Sequence, residues 1–234
     1  MPKFQEYAAA IAPIISVVHV NVHAAASRAV TELSETSGVT PGFLSDLRFM
    51  LPLRPLTRAA LAVIYRYRNG DAPGLRRHLN EGTLAEYDDG TLRLTDKGLK
   101  FVHRLYDLHA AAAGRIWAGG DLPGLATLTG RVLDAAERVP GGALELVTPA
   151  YEPEGAEPRL LLFNRLAALR YHRADAHALA WQAEGLSAAE IVSLTDGPLR
   201  ARIEAETDLR AAAPYGVLSA GERDTLYDGL LKLV

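Results

Sequence analysis

The sequence contains no cysteine. Disulfides, thiolate nucleophiles, thiolate zinc centres and iron–sulfur clusters are therefore excluded. The absence agrees with a cytoplasmic protein, the compartment expected here, although a cysteine-free chain survives in any redox environment. Also missing is an uninterrupted apolar run of the roughly 18 to 20 residues that a bilayer span needs. The nearest approach, Ala8 to Val20, is broken by Pro13 and ended by His19, so no membrane partner is expected. The first residues carry Glu6 and lack an Ala-x-Ala site followed by a mature start, and read as structure instead of a secretory signal. There is no Gly-x-Ser-x-Gly, no phosphate loop ending in Gly-Lys-Ser/Thr and no Gly-x-Gly-x-x-Gly. No pair of acids is marked as general acid and base. The expectation is a non-enzyme without a cofactor.

What is present is an ordinary globular composition. The 234 residues are 49% hydrophobic and 23% charged, enough for a buried core in one or two domains. The formal net charge of −3 does not by itself point to a polyanion. It hides an asymmetry. Residues 54–104 hold ten basic groups against six acids, whereas the rest of the chain holds fifteen against twenty-two. A basic segment inside an acidic chain has the charge distribution of a nucleic-acid contact surface; a chance excess on a solvated face has the same count.

Apolar periodicity predicts a helix over 3–35, broken near Pro13, and a second over 41–51 capped by Thr40. An apolar helix over Thr57 to Tyr67 follows. After a turn at Arg68-Asn69-Gly70-Asp71 comes a short helix over 72–81. The period then changes to alternation. Thr83–Tyr87 and Thr91–Thr95 flank Asp88-Asp89-Gly90, a tight hairpin. Thr95 or Asp96 caps a long helix to about Trp117, and another helix covers 121–139. Residues 140–158, with four prolines and no basic residue, read as a surface connection. Helices over 159–184, after Ser187, over 196–213 and over 220–233 complete the chain. The fold class expected is mainly α with one β-hairpin: a winged helix-turn-helix plus a helical C-terminal region. The domains expected are 1–139, with the winged helix at about 41–117, a linker over 140–158, and 159–234.

Three helices, a hairpin and a long helix are the order of a winged helix-turn-helix. The 72–81 helix then takes the recognition role, with Arg76, Arg77, His78 and Asn80 directed at base edges and phosphates of double-stranded DNA. Arg93 projects from the wing, and Arg66, Arg68 and Lys97 position the backbone. Glu81 is a repulsive charge beside them. Leu92-Arg93-Leu94-Thr95-Asp96-Lys97-Gly98-Leu99 resembles the wing-to-helix junction of MarR-like and PadR-like winged-helix regulators. That resemblance implies a homodimer built on long helices outside the wing. Two further segments, Arg173 to Trp181 with Glu184-Gly185-Leu186, and Leu199 to Asp208 leading to Ala213-Pro214-Tyr215, resemble the SalK-type actinobacterial helix-turn-helix proteins. That group often carries a second wing where this sequence has only Leu186 to Thr195. The resemblance implies a regulator-like fold. The same fold also serves as a scaffold or protein-interaction module without DNA binding, which is the alternative; a metal- or ligand-binding enzyme is the third reading.

Two histidine pairs remain. His19 and His23 are four apart on one helix face, a metal-ligand spacing, with Asp175 and His177 as further donors if their helix packs nearby. The same spacing serves two histidines hydrogen-bonded in a helix interface, and no metal is expected. Arg173 and His177 form a polar pair on an otherwise apolar helix. With His19 and His23 they are candidates to bind a small-molecule effector, and Tyr171 and Trp181 are candidate aromatic walls. His103 and His109 read as interface or surface residues.

Overall fold

A computed structural model of the chain describes residues 2–68 and 74–234. Eleven α-helices and one two-stranded hairpin occur among the described residues. The mainly helical class with a single antiparallel hairpin is as the periodicity predicts. Most of the expected turn at residues 68–71, and the expected helix start at Ala72 and Pro73, lie outside the described residues.

Helix α1, Pro2–Ser37, runs unbroken through Pro13, against expectation. A helix-interior proline costs about 3 kcal/mol. Ile11, Ile14, Ile15, Val18 and Val22 are all buried on the strip that spans the proline, and each buried aliphatic side chain contributes about 1.5–3 kcal/mol. Packing therefore outweighs the lost hydrogen bond. By length and composition α1 also suffices to cross a bilayer, once Pro13 no longer interrupts it. In this fold its buried strip lies against α5 (Asp96–Ile116) and α8 (Pro158–Ala183).

Helix α8 is the centre of the molecule. Leu160, Leu162, Phe163, Leu166 and Leu169 are buried along its first half, because α1, α5, α6 (Leu122–Ala135), α7 (Ala143–Val147) and α10 (Pro198–Ala211) surround it. A helix enclosed on all sides needs apolar residues on all sides. The stretch expected to be a surface connection contains α7, whose Ala143, Leu144 and Val147 are buried. Asp175 of α8 holds it there: its carboxylate accepts from the amides of Ala143 (2.9 Å) and Leu144 (2.8 Å) and pairs with Arg66. A smaller apolar cluster joins Trp181, Ile191 and Ile203, where α8 meets α9 (Ala188–Ser193) and α10. Ser187 and Glu190 close a capping box on α9, as the sequence predicts; Ser219 and Glu222 close a second on α11 (Ala220–Leu231).

The basic segment folds around the hairpin. Helix α2, Gly42–Leu47, ends four residues earlier than expected, and Met50 and Leu51 turn back onto the Leu47 carbonyl. Thr40 does not cap it; both its amide and its hydroxyl donate to the Glu81 carboxylate, at 3.0 and 2.7 Å. Helix α3, Arg58–Ile64, is capped by Thr57, and α4 covers Leu75–Asn80. Strands β1 (Leu84–Glu86) and β2 (Leu92–Leu94) pair antiparallel, with Ala85 opposite Arg93. Leu56 adds an antiparallel bridge to Leu92, through bonds of 2.9 and 2.8 Å.

The Thr95-Asp96-Lys97-Gly98 junction has a physical reason. Thr95 caps α5 by accepting from the Gly98 amide (3.2 Å). A Cβ at Gly98 would overlap the Thr83 carbonyl, which is backbone and has little room to yield. Only glycine lets α5 start this close to β1. Gly98→Ala is expected to lower unfolding free energy by about 1–3 kcal/mol, although alanine favours helix by about 1 kcal/mol on propensity alone. Urea denaturation reads the sign, and a stabilised variant contradicts the close approach. Asp175→Ala leaves two amides and Arg66 unpartnered, and is expected to cost about 3–5 kcal/mol in the same measurement.

Candidate functional site

Helix α4 sorts its residues by helical phase. Leu75 and His78 face inward, while Arg76, Arg77 and Asn80 are exposed. The arginines follow an inward leucine and precede an inward histidine, so they share the outer face. No carboxylate among the described residues lies within ion-pair distance of either one. Gly74 opens the helix at φ 87°, a left-handed conformation that suits glycine.

His78 does not join them, contrary to expectation. It is 0% exposed, its Nδ1 lies 3.0 Å from the Thr83 hydroxyl, and its ring sits 5.2 Å from that of Phe43. Burial lowers its pKa and keeps it neutral. His78 stands three residues after buried Leu75, an inward position on a helix (i, i+3). It anchors α4 and reaches no base. Glu81, expected as a repulsive charge, is turned onto Thr40.

The remaining basic candidates divide. Arg93 projects from β2, with its guanidinium 4.6 Å from the Tyr87 ring centroid and 3.9 Å from Asp89. Lys97 is exposed, but its Nζ donates to the Glu81 carbonyl (2.8 Å) at the end of α4. It neutralises the helix C-terminus there. Arg66 is not a backbone-positioning contact: it is committed to Asp175. Arg68 is exposed over Tyr65, at 5.3 Å, and lines a cavity. Arg66 therefore belongs with the helical body, through Asp175 of α8, while Arg68 remains open to solvent.

That cavity, of about 350 Å³, opens between α1, α3 and α8. His19 and His23 line it, with ring centroids 4.8 Å apart; His23 lies 4.7 Å from His109, and His19 stacks on Phe163 at 4.8 Å. No group of three or more metal-ligand side chains occurs among the described residues, and Asp175 is consumed by α7 and Arg66. Arg48 also lines the cavity although it is only 1% exposed. No apolar stripe marks it, yet it stands four residues after Leu44 and three before Leu51, both buried. A charge at such an inward position was the available signal, as was His109, four residues after buried Leu105.

Arg173 and His177 lie on a second cavity of about 300 Å³, lined by α1, α8, α10 and the Ala213–Val217 turn. Arg173 pairs with Asp208 at 2.7 Å; His177 Nδ1 lies 2.9 Å from the Tyr67 hydroxyl, and its Nε2 lies 3.7 Å from Glu204. The four candidate effector residues thus fall in two cavities, which share Tyr67, Arg170 and Ala174 as walls. Tyr171 lines the first; Trp181 lines neither.

Comparison with protein families, with curated proteins and with solved structures finds no match to this chain.

Burial holds the pKa of His23 down to about 3 and that of His109 to about 2, with the Arg48 charge adding to both; burial and Arg48 also push His19 well below its ordinary value. In the unfolded chain these rings take up protons below about pH 6.5. A depressed folded pKa gives stability that is present above 6.5 and lost as pH falls towards 3. Unfolding free energy is expected to drop across that window by about 1.4 kcal/mol per pH unit for each of the three histidines. Urea melts at pH 7 and pH 5 check this, and His23→Gln should shallow the slope.

Proposed function

We propose that the chain is a DNA-binding transcriptional regulator of winged helix-turn-helix type. The observation that carries the reading is the outward face of α4, where Arg76, Arg77 and Asn80 are exposed and the two arginines have no ion-pair partner among the described residues. The order of elements supports it. Helix α2, the Leu56 bridge, α3, α4, the hairpin and α5 follow one another. A recognition helix seats its polar side chains in the major groove while an adjacent β-ribbon contacts the backbone or minor groove. Arginine pairs bidentately with guanine and asparagine with adenine. Arg93 stands on the ribbon. The likeness of Leu92 to Leu99 to the MarR-like and PadR-like junction, and of the later segments to SalK-type proteins, agrees with this reading.

The reading includes a cytoplasmic homodimer, since two α4 helices about 34 Å apart engage successive half-sites. It includes a small-molecule effector, for which the two cavities are available. His78 and Arg66 are no longer among the DNA contacts, whereas exposed Arg68 and Lys97 stay as backbone-positioning candidates.

Replacing Arg76 and Arg77 by alanine takes two cations away from the DNA-facing surface. Binding to a duplex, read by fluorescence anisotropy across 50–200 mM salt, is expected to weaken. The slope of log affinity against log salt should fall by about 0.9 for each phosphate that the variant no longer neutralises. A wild-type chain with no salt-sensitive duplex affinity would instead assign the α4 face to protein binding.

A further inference from the structure

The least satisfied charge in the molecule is Arg48. It is 1% exposed, and only its Nη1 has a hydrogen-bond partner among the described residues, the Ser45 carbonyl. Its guanidinium lies 3.9 Å from the Phe49 ring centroid and 4.7 Å from that of Phe163, while Nε and Nη2 are unpartnered. No carboxylate among the described residues pairs with it. Asp46, the one carboxylate lining the cavity, accepts from the Tyr65 hydroxyl at 3.1 Å instead. An isolated buried cation is costly, and structures usually pair it.

His19 supplies a third idle donor. Arg170 Nη1 lies 2.8 Å from its Nδ1. A guanidinium only donates, so Nδ1 accepts and the ring proton of the neutral imidazole is on Nε2. That Nε2 is buried and has no acceptor among the described residues. Arg48 Nε–H, Arg48 Nη2–H and His19 Nε2–H thus belong to two side chains of one cavity and lack acceptors, with Arg170 exposed at its rim. The three atoms are closed to solvent in this structure, so an acceptor meets them only after Arg48 and His19 turn towards the open volume; idle donors of this kind call for a ligand that brings acceptors and negative charge. Four aromatic rings, Phe49, Tyr65, Tyr67 and Tyr171, make up much of the remaining wall, beside Ile64 and small alanine side chains. The volume, about 350 Å³, suits a molecule of one-ring size.

We propose that this cavity binds a small planar organic carboxylate, with the carboxylate held by Arg48 and His19 and the flat body lying among the tyrosines and Phe49. The site deepens the effector part of the regulator reading but does not depend on DNA binding. It is tested without DNA, so either proposal can fail alone.

The experiment uses the intact chain at pH 7 with benzoate, its neutral isostere benzamide, and inorganic phosphate. Thermal shift and calorimetry read the binding. Benzoate is expected to raise the melting temperature with concentration, and benzamide is not. Arg48→Met, which keeps the volume and removes the unpaired charge, should raise the ligand-free melting temperature and weaken benzoate roughly tenfold or more. Should that variant not fold, Arg170→Gln at the rim, which also removes the guanidinium bond to His19 Nδ1, is expected to weaken benzoate several-fold while benzamide stays without effect. Equal responses to benzoate and benzamide, or none to benzoate, overturn the proposal. So does a response to phosphate alone, which would mark an inorganic-anion site. An Arg48→Met chain that melts lower yet binds benzoate as before makes Arg48 a structural strut and overturns it too.

Discussion

A single buried carboxylate ties the body together. Asp175 projects from the central helix, takes two amide hydrogens from the first turn of α7, and holds Arg66 at the end of α3. Gly142 is part of the same arrangement, since a Cβ there would crowd the Asp175 Oδ2 at 2.7 Å. Charge-assisted bonds to backbone amides are among the stronger hydrogen bonds. Here they fix the position of α3 relative to α8. The helix that leads towards α4 is thereby referenced to the core of the molecule.

The interior is unusual in collecting cationic and imidazole groups with few acids. Arg48, His19, His23 and His109 converge around Phe163, with Arg170 reaching His19 from the rim, and the histidines respond by staying neutral. Contacts of the Arg48 guanidinium with Phe49 and Phe163, and a stack of His19 on Phe163, hold these side chains without satisfying their donors. Side chains held this way lose little further entropy on meeting an acceptor. The outer surface of α4 is organised the opposite way, with cations in solvent and the histidine as internal anchor. The two regions meet at the end of α3, where Tyr65, Tyr67 and Arg68 line the cavity. Phe43 lies between them, its ring 6.1 Å from that of Tyr65 and 5.2 Å from that of His78.

Much of the framework was legible from local rules. Thr95 and Ser187 cap the helices they were expected to cap, and Asp89-Gly90 turns the hairpin, with Asp89 accepting from Thr91. The misreadings share a cause. Pro13 was expected to break a helix, Thr40 to cap one, and His78 to face solvent. Each depended on a neighbour far away in sequence: the α5 and α8 surfaces under α1, Glu81 beside Thr40, and Phe43 against His78. Helix α7 escaped notice because a five-residue helix has too little periodicity of its own and is held by Asp175.

The sequence alone determined the helical class and the place of the hairpin, since these follow from dihedral preferences and side-chain spacing along one element. Tertiary structure alone decided which charges are spent and which are idle. Arg66 and Arg48 look alike in the chain, yet one meets Asp175 and the other meets no carboxylate among the described residues. Pairing of that kind is set by contacts between helices distant in sequence, and residue spacing carries no record of them.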